Sequence, residues 1–270
     1  MNKIDLIEIK ALTPNRYVVK VKNHSVEEKI TVLSETLIDL GIFKPCTLSN
    51  DEYQVLKASG VIDELKNKAI HFVSFQARLT SEVVAFLEKK DASKKQISQI
   101  IRDFKEANLL DDDAYVKAYI DRVIRYEFDG PFKVREKLLK KGAAQPLIEQ
   151  YLVDFNDEVQ RKKVSELLTK ELQYKMKKPL NKMIQSLKQR FMTKGFVIHV
   201  IESVLEEYKE DIRMQIDEEY LLNQELKKMP IKMFDKNQSQ KLIAKLMRQG
   251  FSYQLIKEKI KGGNFDETIE

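Results

Sequence analysis

Residues 134–155 read VREKLLKKGAAQPLIEQYLVDF. The same spacing of apolar positions returns in 83–104, VVAFLEKKDASKKQISQIIRDF, and in 187–208, LKQRFMTKGFVIHVIESVLEEY. Aligned on Asp91, Gly142, Gly195 and Gly250, the copies stand 51, 53 and 55 residues apart. Eight residues before that point come Val83, Val134, Leu187 and Leu242, and four before it Leu87, Leu138, Phe191 and Leu246. Six after it come Ile97, Ile148, Ile201 and Ile256, and ten after it Ile101, Leu152, Leu205 and Ile260. Thirteen after it stand Phe104, Phe155 and Tyr208, while the fourth copy has Gly263. Self-similarity at a period near fifty residues marks a chain of stacked repeats.

Positions eight and four before the alignment point lie on one helical face. Glycine there suits the left-handed residue that ends a helix, and Asp91 is a substitute able to adopt that conformation. The apolar residues that follow define the buried stripe of a second helix. Ser93 with Gln96 predicts a capping box at its start, and Pro146 fits a first helical turn. A third helix is expected over 112–127, 157–174 and 211–228, with acids at each start where the helix dipole favours them. The reading is a mainly α, elongated and curved array of three-helix repeats over 77–129, 130–178 and 179–232. A two-helix terminal repeat follows over 233–270.

Ahead of the array the pattern changes. Stretches 4–9 and 17–21 carry alternating or β-branched apolar residues around the turn-forming Thr13, Pro14 and Asn15, which predicts an antiparallel pair. Residues 29–33 add a third strand, 34–40 a short helix before Gly41, and Ser49 or Asn50 caps a helix from Asp51. We take 1–50 as a small β-containing module and 51–76 as a helical connector.

With 43% hydrophobic and 33% charged residues, no Trp, 8 Gly and 6 Pro in 270 residues, the composition fits a helical protein with little loop. No apolar run approaches the ~20 residues of a membrane span. The first twenty residues are charged throughout, unlike a signal peptide. The single cysteine, Cys46, fits a reducing compartment, so the expectation is a cytoplasmic protein, and a monomer is taken as its state. The net charge of +6 is segregated. Residues 1–73 are neutral, and 161–195 hold 11 basic residues against Glu166 and Glu171. Residues 202–225 hold 9 acids against Lys209 and Arg213, and 227–261 are basic again, 10 against 2. Such blocks point to a polyanionic or charge-patterned partner.

Catalytic chemistry finds no foothold. Asp111, Asp112 and Asp113 invite a metal-nuclease reading, but consecutive residues at one helix start point in different directions, and two-metal chemistry needs converging carboxylates. Helix capping accounts for them. His24, His71 and His199 have no zinc spacing, and no phosphate loop, nucleophile elbow or Cys–His pairing is present. No metal and no cofactor are expected.

The basic stripes carry more. Lys133, Lys137, Lys140 and Lys141 occupy one arc beside Val134, Leu138 and Leu139, and Lys241, Lys245 and Arg248 repeat the arrangement in the last copy. Arg161, Lys162 and Lys163 fall on a third helix, with Lys177 and Lys178 in the segment after it. Stacked repeats would align these charges into a track for phosphates. Most Phe and Tyr fall on core positions, so a base-stacking platform is not indicated.

Leu110-Asp111-Asp112-Asp113-Ala114-Tyr115, continuing through Ala118-Tyr119-Ile120 to Arg122, resembles a signature of the RecX regulatory family. Gly130-Pro131-Phe132-Lys133-Val134, then Leu138 through Lys141-Gly142, matches the motif that follows it. Arg78-Leu79-Thr80-Ser81-Glu82 is similar to the stretch opening the first repeat, with Leu79 and Thr80 as departures. Val116 and Ala143 depart from the usual residues at their positions. The resemblance covers roughly 74–260, and the β-containing N-terminus and extra repeats resemble the family's longer members. It implies a non-enzymatic modulator that lies in the groove of the RecA filament on single-stranded DNA. Such a protein limits strand exchange, ATP hydrolysis and coprotease function. In that reading Asp111, Asp112, Tyr115, Arg122, Gly130, Pro131 and Gly142 carry the motif and the basic stripes carry the contacts. The rival reading is a basic DNA-binding protein acting without RecA.

Overall fold

Period-two alternation places Ile4 and Leu6 on one face of β1 (Ile4–Thr13), opposite Val21 and Asn23 of β2 (Arg16–Asn23). The computed structural model describes residues 4–24, 26–228 and 236–262. β3 (Val26–Leu33) extends the antiparallel meander, and the short β4 (Cys46–Leu48) pairs with Ile4, Asp5 and Leu6, for a sheet order of β3-β2-β1-β4. The three expected strands are therefore present. The fourth is three residues long, too short to express a period, and carries the exposed Cys46.

α1 (Ser34–Asp39) follows β3 directly, and α2 (Asn50–Ser74) covers the sheet. α2 starts with a complete capping box: the Glu52 amide donates to Ser49 Oγ at 3.2 Å, and the Ser49 amide to Glu52 Oε2 at 2.7 Å. Gly60 lets this helix approach β3, because a Cβ there would stand 2.4 Å from Ile30 Cγ2. Buried Asp63 accepts from the Leu33 amide at 2.8 Å and Thr36 Oγ1 at 2.6 Å, tying α2 to the start of α1. Tyr53 and Leu56 join the sheet core, while Leu65 and Ala69 join the core of the first repeat.

The repeats run α3 (Thr80–Glu88), α4 (Lys94–Glu106) and α5 (Asp112–Tyr126), then α6 (Pro131–Lys140), α7 (Gln145–Leu152) and α8 (Asp157–Glu171). The third comprises α9 (Leu180–Thr193), α10 (Ile198–Glu207), α11 (Lys209–Met214) and α12 (Glu218–Lys227). α13 (Lys236–Arg248) and α14 (Tyr253–Gly262) form the last. The alignment point is the same conformation each time: φ is +59° at Asp91, +83° at Gly142, +89° at Gly195 and +101° at Gly250. Every aligned residue eight and four positions earlier is buried except Leu242, which is partly buried. Gly263, which breaks the pattern, lies outside the described residues.

One expectation is corrected. The helix predicted over 211–228 is two helices, because the Gln215 carbonyl accepts from the Met176 amide at 2.9 Å and Asp217 then caps α12 through the Tyr220 amide at 2.8 Å. Asp211 sits inside α11 and does not start a helix.

The chain forms two compact units, 1–116 with 141–143, and 117–140 with 144–270. Inside each, a left-handed turn docks on the start of a preceding first helix. In the first unit, a Cβ on Gly142 would meet Ser81 Cβ at 2.7 Å, and Ser81 Oγ donates to the Lys141 carbonyl at 2.7 Å. In the second, the Gly130 amide donates to the Lys194 carbonyl at 2.7 Å and the Phe132 amide to the Gly195 carbonyl at 3.1 Å. A Cβ on Gly130 would stand 2.3 Å from the Gly195 carbonyl carbon, and one on Gly250 2.9 Å from Lys182 Cβ. Glycine is required where backbone meets backbone this closely.

Candidate functional site

Lys133 and Lys137 of α6 are half-buried and Lys140 exposed along one arc, and each is held by a carboxylate. Lys133 Nζ lies 3.0 Å from Asp129 Oδ1, Lys137 bonds Asp129 Oδ2, and Lys140 Nζ lies 2.5 Å from Glu136. Burial works to raise the Asp129 carboxyl, yet the bonds from Lys137 and Lys133 outweigh it and hold it below the usual aspartate range. The Asp129 bond raises Lys137 above the ordinary lysine value. In the first compact unit, Lys141 Nζ lies 3.2 Å from Glu82 and 5.7 Å from the Tyr115 ring centroid. Burial works to lower the Lys141 ammonium, but Tyr115 and Glu82 outweigh it and raise it.

The charge blocks behave in the same way. Arg161 of α8 donates to Ser203 Oγ at 2.7 Å and pairs with Glu207 of α10, while Lys188 of α9 meets Glu202 at 2.5 Å. Lys259 of α14 pairs with Glu219 of α12. Part of the basic, acidic, basic alternation along the chain thus folds into pairing between helices.

Lys163 departs from the expectation of a surface contact. It is 6% exposed, its ammonium donates to the Glu127 carbonyl at 2.5 Å, and it lies 5.4 Å from the Phe128 ring centroid. Its neighbours Arg161 and Lys162 face solvent, because three residues of helix cannot share one face. Burial lowers the Lys163 ammonium below the ordinary lysine value. Lys177 and Lys178 are exposed on the segment after α8, with Lys178 Nζ 3.0 Å from Ser186 Oγ. On α13, Lys241, Lys245 and Arg248 are exposed, and Arg248 Nε donates to the Ala244 carbonyl at 3.3 Å. Among the described residues Lys162, Lys177, Lys241 and Lys245 have no ion-pair partner.

The motif residues hold the repeats together. Asp111 Oδ1 accepts from the Ala114 amide at 2.9 Å and caps α5. Asp112 Oδ1 accepts from the Thr80 amide at 2.7 Å, satisfying the start of α3, and Leu180 of α9 finds the same service from Glu218. Arg122 pairs with Glu127 at 3.1 Å over the Tyr119 ring, and buried Pro131 opens α6 after Gly130. Among the described residues no three His, Cys, Asp or Glu side chains are grouped to hold a metal ion, and no helix is long and apolar enough to cross a membrane. His199 Nε2 lies 2.7 Å from Asp157, and His71 stands edge-on to Phe75.

The partners Asp129 and Glu207 were not singled out from the sequence, and Glu82 stood only in the Arg78–Glu82 motif stretch, with no lysine partner assigned. Only Asp129 carries a local signal, four residues ahead of Lys133. Glu82 and Lys141 are 59 residues apart and meet only through the docked turn.

Fold and surface define an α-helical repeat protein with an N-terminal antiparallel sheet and paired charges on its exposed helix faces. No family model matches the chain. It is 28% identical to the regulatory protein RecX of Streptococcus agalactiae over 87% of this chain and 91% of that protein. It is equally identical to the RecX proteins of Oceanobacillus iheyensis, over 99% of this chain and 100% of the relative, and Staphylococcus saprophyticus, over 100% and 99%. A crystal structure of a regulatory protein RecX shares the fold at a TM-score of 0.64 and 23% identity, covering 75% of this chain and 99% of that one. RecX from Lactobacillus salivarius matches at a TM-score of 0.51 and 27% identity, over 54% and 95%. Over most of its length the chain is thus similar to RecX regulatory proteins, and it shares the fold of the solved one.

Proposed function

We propose that this protein binds the filament that RecA forms on single-stranded DNA, lies in its helical groove, and restrains strand exchange, ATP hydrolysis and coprotease action without catalysing a reaction itself. It would act in the cytoplasm, as a monomer, on recombination, DNA repair and the SOS response. The observation that carries this reading is the match to RecX regulatory proteins over essentially the whole chain, sheet and repeats together. The paired charges support it. Exposed ion pairs contribute only about 0–1 kcal/mol each, so a partner's phosphate or carboxylate can take over a lysine at little cost. The carboxylate so released can meet a basic group on the same partner.

The test is binding of labelled single-stranded DNA with and without a RecA filament across a salt series. Tight binding to the filament and weak binding to bare DNA is expected. Equally tight binding without RecA, with a steep salt slope, sinks the proposal in favour of the stand-alone DNA binder. The α6 stripe is tested by replacing Lys133, Lys137 and Lys140 with Gln. Reversal to Glu would crowd like charges around the half-buried Asp129 and disturb the fold. Inhibition of RecA should fall by more than in Asp129→Asn, which breaks the same two pairs and so controls for the stability they contribute. Inhibition at wild-type strength would show the stripe to be a solvated face.

A further inference from the structure

The β-module and the first repeat border an open cleft that none of the motif residues lines. Its volume is about 640 Å³, within the range typical of ligand sites. One wall is the polar face of α2, with Asn67, Lys68 and His71 at helical spacing. Arg16 from β2 stands on one side, and Phe86 and Lys90 from α3 and the turn after it stand on the other.

The charge is one-sided. The single carboxylate in the lining, Glu64, is already bonded by Lys68 at 2.6 Å and held below the usual glutamate range by that bond, with Arg16 adding to the effect. Arg16 keeps an enclosed Nε with no hydrogen-bond partner, an unmet donor that calls for explanation. Lys90 is exposed, with its ammonium 5.8 Å from the Phe86 ring centroid. Aromatic surface lies beside these cations. Phe86 is stacked on Phe72 with ring planes 5° apart, which fixes it. His71 stands edge-on at 4.7 Å to Phe75, which is 75% exposed and, though outside the cleft lining, directly follows the lining residue Ser74.

Cations that track phosphates, interleaved with exposed rings on which bases stack, are the chemistry of single-stranded nucleic acid binding. We infer that this cleft is a site for a short run of single-stranded nucleic acid, with Arg16, Lys68 and Lys90 on its phosphates and Phe75 and His71 against a base. The inference rests on the proposed filament reading, because a filament carries such a strand. It adds a contact on the β-module side that the basic stripes do not include.

The test uses the full chain and a labelled oligothymidylate, with an abasic oligonucleotide of the same length and inorganic phosphate as competitors. The variant Arg16→Gln/Lys90→Gln should bind the oligothymidylate about tenfold more weakly. Its log–log salt slope should be shallower by about 1.4, two contacts at roughly 0.7 each. Phe75→Ala should remove the preference for oligothymidylate over the abasic strand without changing the salt slope. Lys105→Gln, exposed on α4 and outside the cleft lining, controls for general charge loss and should keep the wild-type preference. Wild-type affinity in the Arg16→Gln/Lys90→Gln variant overturns the site. So does an abasic strand, or inorganic phosphate at matched charge, that competes as well as oligothymidylate. These readouts need no RecA, so a failed cleft and a failed filament reading are separable: wild-type protein that ignores the filament counts against the latter alone.

Discussion

Asp91 and Gly195 occupy the same place in successive repeats and show what one side chain costs there. Asp91 holds φ at +59°, where an L residue is disfavoured by about 1–2 kcal/mol and Asp somewhat less. Its side chain is exposed. Gly195 combines φ of +89° with a contact in which a Cβ would sit 2.5 Å from the Lys133 backbone nitrogen. Asp91→Gly is therefore expected to leave stability unchanged or raise it by up to about 1 kcal/mol. Gly195→Ala should lower it by about 2–4 kcal/mol, adding displaced backbone to the conformational cost. Urea unfolding of both variants checks the pair, and equal effects would show that conformation alone, without docking, governs the position.

At the scale of an element, α6 owes its entry to Asp129, which receives Lys133 and Lys137 from one and two turns along the helix. Its carboxyl is held low in the folded protein, so the unfolded chain binds the proton more readily. That stability is fully present above the ordinary aspartate value and is lost as the pH falls through the lowered folded one. Asp129→Asn should be less stable than the wild type at neutral pH. The gap should close below about pH 4, followed by thermal melts from pH 7 to pH 2. A constant gap would assign the residue's role to packing.

The elements also show what the sequence could reveal. The phase of the repeats was legible because apolar spacing and the left-handed turn are both local. Asp111 as a cap was legible for the same reason. β4 was not, since three residues carry no period, nor was the break between α11 and α12, whose cause is a backbone bond from Met176. Lys163 looked like its neighbours in a basic run. Only the packing of Glu127 and Phe128 draws it inward.

Across the whole molecule, 48 basic and 42 acidic residues suggest a protein ruled by electrostatics. The observed pairs are mostly exposed, and such pairs are weak and screened within about 10 Å at 0.1 M salt. Raising salt from 0.1 to 1 M should thus change the unfolding free energy by no more than about 2 kcal/mol, while the proposed binding to a nucleoprotein filament should fall by orders of magnitude. Urea titrations beside binding isotherms measure both. A fold that collapses in high salt would mean that the pairs hold the repeats together and are not free to exchange partners.

The docked turns carry a consequence for lineage. The second and third repeats each supply a plug, the left-handed turn, and a socket, the opening of the first helix, while the first supplies a socket and the last a plug: Gly142 sits on Ser81, Gly195 on Lys133 and Gly250 on Lys182. A module with both halves of its own joint can be duplicated in tandem without inventing a new interface. Gain or loss of a whole repeat is then a single genetic step that leaves every remaining joint intact, whereas a change of a few residues inside one joint breaks it.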